Sequence, residues 1–119
     1  MSVTLSPTSP QVLQAAATTG TGGILLVKGQ CQNVTLCLES AGTTSGGTVS
    51  IEEAYFDVNG PSYGGTWSVL QAVNASTFSG TAQVMVHVVG YSIWALRVRI
   101  SSNITGGGTI TVTGWGSGS

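Results

Sequence analysis

The chain is short of charge. Of its 119 residues, seven besides a single histidine are charged: Lys28, Arg97, Arg99, Glu39, Glu52, Glu53 and Asp57. Soluble domains ordinarily devote about a quarter of their residues to charge. Three cations make no basic stripe, which excludes the usual phosphate-neutralising mode of nucleic-acid binding. Cysteine is limited to Cys31 and Cys37. Six residues of extended chain span about 20 Å, too far for a disulfide, so two free thiols are expected. Structural zinc needs four ligands, and His87 is the lone histidine, so no metal site is expected. No apolar run approaches the roughly 18 residues of a membrane-spanning helix. No basic segment precedes an apolar stretch near Met1, so no signal peptide is expected either.

Glycine, threonine and serine, by contrast, supply about two residues in five, and 41% of the chain is hydrophobic at a formal charge of −1. That is the opposite of a disordered composition. The length suits one domain. Short apolar runs separated by glycine-containing breaks predict an all-β chain, a single β-sandwich of about 7–8 short antiparallel strands, jelly-roll or immunoglobulin-like. Strands are expected at 24–28, 34–39, 48–57, 66–73, 82–89, 93–100 and 109–113. Only the Ala-rich stretch 11–18 has helical character. Three Asn-X-Ser/Thr sequences, at Asn33, Asn74 and Asn103, read as the hydroxyl-rich chemistry of strands rather than as glycosylation.

Period-2 alternation assigns the faces. Val34, Leu36 and Leu38 share one side, with Thr35, Cys37 and Glu39 opposite. Trp94, Leu96, Val98 and Ile100 share another, with Arg97 and Arg99 opposite. In several strands the second face is small, hydroxylated or apolar instead of charged. A surface so poor in charge risks self-association unless something covers it, so much of it is expected to be interface. Residues 1–20, with Pro7 and Pro10, read as an extended N-terminal arm before a sandwich domain at 21–113. Residues 114–119 read as a flexible tail carrying Trp115, as a plug into the domain or a contact with another chain.

Little here supports catalysis. Glu52 and Glu53 are adjacent on a strand, so their carboxylates point to opposite faces and form no acid–base pair. Arg97 and Arg99 are their natural ion-pair partners, expected across the two sheets. His87 sits among Met85, Val88 and Val89 and is expected to be packed and hydrogen-bonded. No Gly-X-Ser-X-Gly turn or phosphate-cradling Gly-Lys-Ser/Thr is present. No enzyme activity and no cofactor are expected.

Four segments then stand together: Gly65-Thr-Trp-Ser-Val-Leu-Gln, Ser79-Gly-Thr-Ala-Gln, Gly90-Tyr-Ser-Ile-Trp-Ala-Leu-Arg-Val-Arg-Ile and Ile104-Thr-Gly-Gly-Gly-Thr-Ile-Thr-Val. Over residues 47–113 this order resembles small β-sandwich proteins and modules of tailed-bacteriophage virions. The resemblance implies a virion component, made in the bacterial cytoplasm and carried on the particle. The reading it favours is a capsid decoration (cement) protein, a homotrimer that binds the major capsid protein at the capsid surface, with no nucleic-acid or membrane partner. Pro7, Pro10, Tyr91, Trp94 and Trp115 are the expected interface residues, although Trp94 also alternates with core positions. The alternative is a carbohydrate- or receptor-binding module of a fibre or tail, with Tyr63 stacking on a sugar ring.

Overall fold

The computed structural model of the protein describes residues 4–5, 9–27, 33–54, 67–80, 82–89 and 94–117. Alternating Val, Ile, Leu and Thr make strands almost throughout. They are β1 (Thr4–Leu5), β2 (Gln11–Ala17), β3 (Ile24–Leu26), β4 (Asn33–Ala41), β5 (Gly46–Ala54), β6 (Ser68–Asn74), β7 (Gln83–Val89), β8 (Ala95–Thr105) and β9 (Thr109–Ser117). A single 3₁₀ turn, Ala75–Phe78, is the one helical element among the described residues. Every strand expected from alternation is present; the expected positions 28, 55–57, 66 and 93 lie outside the described residues.

Two sheets face one another. One has the order β1-β3-β8-β5-β6 and the other β2-β9-β4-β7. Apart from β1, which runs parallel to β3, all pairs are antiparallel. The pairing is nested: β2 lies on β9, β3 on β8, β4 on β7 and β5 on β6. One long hairpin closing at β5–β6 has thus been rolled so that its ladders fall into two layers. This is the strand order of an eight-stranded jelly roll, and it decides against the immunoglobulin-like alternative.

The core between the layers is built from alternate residues of each strand. Leu25, Leu36, Leu38, Ile51, Leu96 and Ile110 are fully buried. Each contributes about 1.5–3 kcal/mol relative to exposure. Among the described residues buried polar side chains are few, and each has a partner. Gln14 of β2 donates from Nε2 to the carbonyls of Val98 (2.8 Å) and Gly20 (3.1 Å), tying one sheet to the other. Thr44 Oγ1 donates to the Ala75 carbonyl at 2.9 Å, and the single Ser40 O–H is placed between the Phe78 and Gly80 carbonyls, fastening the 3₁₀ turn beneath the core.

The two ends of the chain depart from expectation. The stretch 11–18 is a strand, not a helix, and so residues 11–17 of the expected arm belong to a sheet, while β1 lies at the edge of the other. Pairing with β9 wins over alanine's helical preference, which is worth well under about 1 kcal/mol per residue. Two register shifts hide the strand in the sequence, because Leu13 and Gln14 are neighbours yet both buried. At the second irregularity Ala16 takes a left-handed φ of 46°, and its N–H reaches Thr111 Oγ1 at 3.0 Å. At the other end, β9 runs through Ser117, so 114–117 is ladder instead of tail. Gly114 makes this possible by facing inward, where a Cβ would lie 2.9 Å from Leu36 Cδ2 and 3.2 Å from Leu13 Cδ1.

Candidate functional site

The outer face of the β2-β9-β4-β7 sheet is nearly free of charge. Cross-strand register arranges it in rows: Gln83–Glu39–Thr111, Met85–Cys37–Thr113–Val12 and His87–Thr35–Trp115. Glu39 is its single carboxylate among the described residues, and it carries no Lys or Arg. His87 stands exposed rather than packed, with Nδ1 3.1 Å from Thr35 Oγ1 in the neighbouring strand. Cys37 is buried in this face between Met85 and Thr113, its cross-strand neighbours. It is a free thiol. Burial, and secondarily the nearby Glu39 carboxylate, pushes its pKa up, which keeps it protonated and unreactive.

The other sheet gathers charge at one point of its outer face. Glu52 of β5 lies opposite Arg97 of β8, with Oε1 2.7 Å from Arg97 Nε and Oε2 3.1 Å from Arg99 Nε. The Glu52 side chain is 3% exposed, against 17% for Arg97 and 37% for Arg99. The Trp67 ring covers Arg97, its centroid 4.2 Å from the guanidinium carbon, in a cation–π contact. Glu53, one residue on, points to the opposite side and takes no part. The pairing runs between neighbouring strands of one sheet, and the carboxylate sits behind its cations instead of facing a cleft. This arrangement holds strands; it offers no group poised for proton transfer.

The third surface is the open side of the sandwich, where β6 ends one sheet and β7 ends the other. A cavity of about 330 Å³ lies between them, lined by Ile51, Glu53, Leu70 and Gln71 on one layer and Val86, His87, Val88 and Val89 on the other. Five large apolar side chains stand exposed among the described residues, and four of them, Val69, Leu70, Met85 and Val89, lie on these two strands.

The residues singled out from the sequence do not converge. Trp115 sits half-buried in β9 on the outer face, neither a plug nor part of a tail. Trp94 is half-buried just before β8, on the other sheet, where its carbonyl accepts the Val27 N–H at 2.8 Å. Pro10 is exposed immediately before β2. Pro7, Tyr63 and Tyr91 lie outside the described residues. Sequence reading passed over Trp67 and the apolar residues of β6 and β7 as a group. The paired spacing of Arg97 and Arg99 was the available signal for the first. The second depends on which strands end the sheets, and alternation is silent on that.

Among the described residues, no cluster of three or more His, Cys, Asp or Glu side chains could hold a metal ion, and no helix is long and apolar enough to cross a membrane. Compared with known protein families, curated proteins and solved structures, the chain shows no match.

Proposed function

We propose that this protein is a structural component of a bacteriophage virion, a decoration protein that binds the major capsid protein lattice from outside. The observation that carries this reading is the outer face of the β2-β9-β4-β7 sheet. There, threonines, Val12, Met85, Cys37 and Trp115 form a broad surface with Glu39 as its one carboxylate among the described residues. Such a face is poorly suited to permanent contact with water and well suited to a flat protein partner, because desolvating it strands few charges. The rigid sandwich supports the same role, since it presents the face without an ordering cost on binding. Jelly rolls serve in capsids and in sugar-binding proteins alike, so the fold is an analogy, and the surface chemistry is what favours the capsid reading. A homo-oligomer contacting several lattice subunits at once turns weak single contacts into durable attachment.

The test is the copy number of this chain in purified particles, measured by quantitative mass spectrometry against the major capsid protein. A number comparable to that of the capsid subunits is the expected result. A few tens of copies would point instead to a fibre or tail module that binds carbohydrate or a receptor. Absence from the particle would overturn the virion reading.

A further inference from the structure

A β-sandwich with open sheets has four edges, and each exposes backbone N–H and C=O groups that another strand could capture. Two edges here are blunted: β2 carries two register shifts and β6 carries one, between its partners Ile51 and Glu52. Among the described residues β7 has no such device. Its register with β4 is unbroken from Asn33↔Val89 to Glu39↔Gln83. The strand Gln83-Val-Met-Val-His-Val-Val contains no Lys, Arg, Asp, Glu, Pro or Gly. At about 3.4 Å per residue it offers some 24 Å of edge ladder without a bulge or a charge. The exposed apolar side chains Val69, Leu70, Met85 and Val89 crowd the same side of the molecule.

We infer that this edge joins two copies of the chain, β7 adding antiparallel to β7 about a two-fold axis, so that the two four-stranded sheets become one sheet of eight. Main-chain hydrogen bonding selects an extended strand as the occupant. Charge then selects which strand. A lysine- or glutamate-bearing segment would find no opposite charge along β7, whereas β7 itself matches without conflict. An axis through Val86 sets Val84 against the partner's Val88, Met85 against the partner's His87 and Gln83 against the partner's Val89. Inward residues then meet inward residues, outward meet outward, and no like charges face each other. Val84 and Val88, only partly buried against the core, gain cover from both sides. Isologous pairing of this kind closes on itself and stops at two, which prevents the open-ended growth an unguarded edge otherwise invites. It makes the dimer, rather than the expected trimer, the basic unit in solution, and it requires no particle.

Sedimentation velocity on the purified chain tests this directly. The expected species has twice the 12.0 kDa chain mass. A Met85→Lys/Val89→Lys variant changes only exposed side chains and is expected to raise the dimer dissociation constant at least about tenfold, as lysine on an edge strand opposes pairing. Val12→Lys, on the blunted opposite edge of the same sheet, is expected to leave the dimer intact. Hydrogen exchange supplies a second readout. Alternate β7 amides, those pointing away from β4, are protected in the wild-type dimer and exposed in the double variant, while β4 and β9 keep their protection. A wild-type chain that sediments as a monomer or trimer, or a dimer untouched by the β7 lysines, would overturn the inference.

Discussion

Glu52 Oε1 lies 2.7 Å from Arg97 Nε across the β5–β8 ladder, in a chain with only seven charged residues. Nearly half of that small complement (Glu52, Arg97 and Arg99) is committed to one cluster. A carboxylate this deeply covered is costly to leave unpaired, so the cluster tolerates loss of its members unequally.

Arg97→Met leaves the covered carboxylate with Arg99 alone and loses the Trp67 contact, and is expected to cost most, about 3 kcal/mol. Glu52→Gln removes the charge that both guanidiniums share but leaves arginines that reach solvent, and should cost about 1–3 kcal/mol. Arg99→Met should cost less than about 1 kcal/mol, as for exposed pairs. Urea unfolding of the three variants checks the order. An Arg99 variant as damaging as Glu52→Gln would show that the pairing is not centred on the buried carboxylate.

Gln14→Leu keeps a side chain of similar size but removes the Nε2 donor that reaches Val98 and Gly20. The Val98 carbonyl is then left buried without that bond, at a cost of about 1–3 kcal/mol. Because this bridge links the two layers, the loss should appear as a lower denaturant midpoint with an unchanged slope.

Gly114→Ala places a methyl group against Leu36 and Leu13 at distances shorter than ordinary contact. Overpacking of this kind costs about 1–3 kcal/mol, and Gly114→Val should cost more. Thermal unfolding measures both. If Gly114→Ala were neutral, the ends of the Leu36 and Leu13 side chains would have to give way to the new methyl group.

Cys37 is expected to resist alkylation at neutral pH and to react only once the protein is unfolded, as peptide mapping by mass spectrometry would show. Its raised pKa also fixes the sign of a pH effect. The thiol's contribution to stability is intact below its ordinary pKa and is lost as pH rises toward the higher value of the folded state. Cys37→Ala removes that alkaline decline. Rapid labelling of the native protein at Cys37 would contradict its burial.

Much of the sandwich is legible in the amino-acid order. Val34, Leu36 and Leu38 point inward because a strand's side chains alternate, and that local rule holds whatever the strand pairs with. The same rule separates Glu52 from Glu53 and aligns Arg97 with Arg99. It fails at β2, where two register shifts put Leu13 and Gln14 both inside and let an Ala-rich stretch pass for a helix. It fails again at Gly114-Trp115, where glycine suggests a loose tail and the core instead demands the smallness of Gly114.

Composition and alternation therefore determined the fold class, the strands from Ile24 onward, the inward faces and the poverty of charge. Tertiary structure alone decided the nested strand order, the choice of Glu52 as the shared partner of both arginines, and the placement of β7 at the end of its sheet. The reason is physical. Alternation is a property of each strand by itself, whereas register and edge position are set by pairings between residues as far apart as Gln11 and Gly114, which no local pattern encodes.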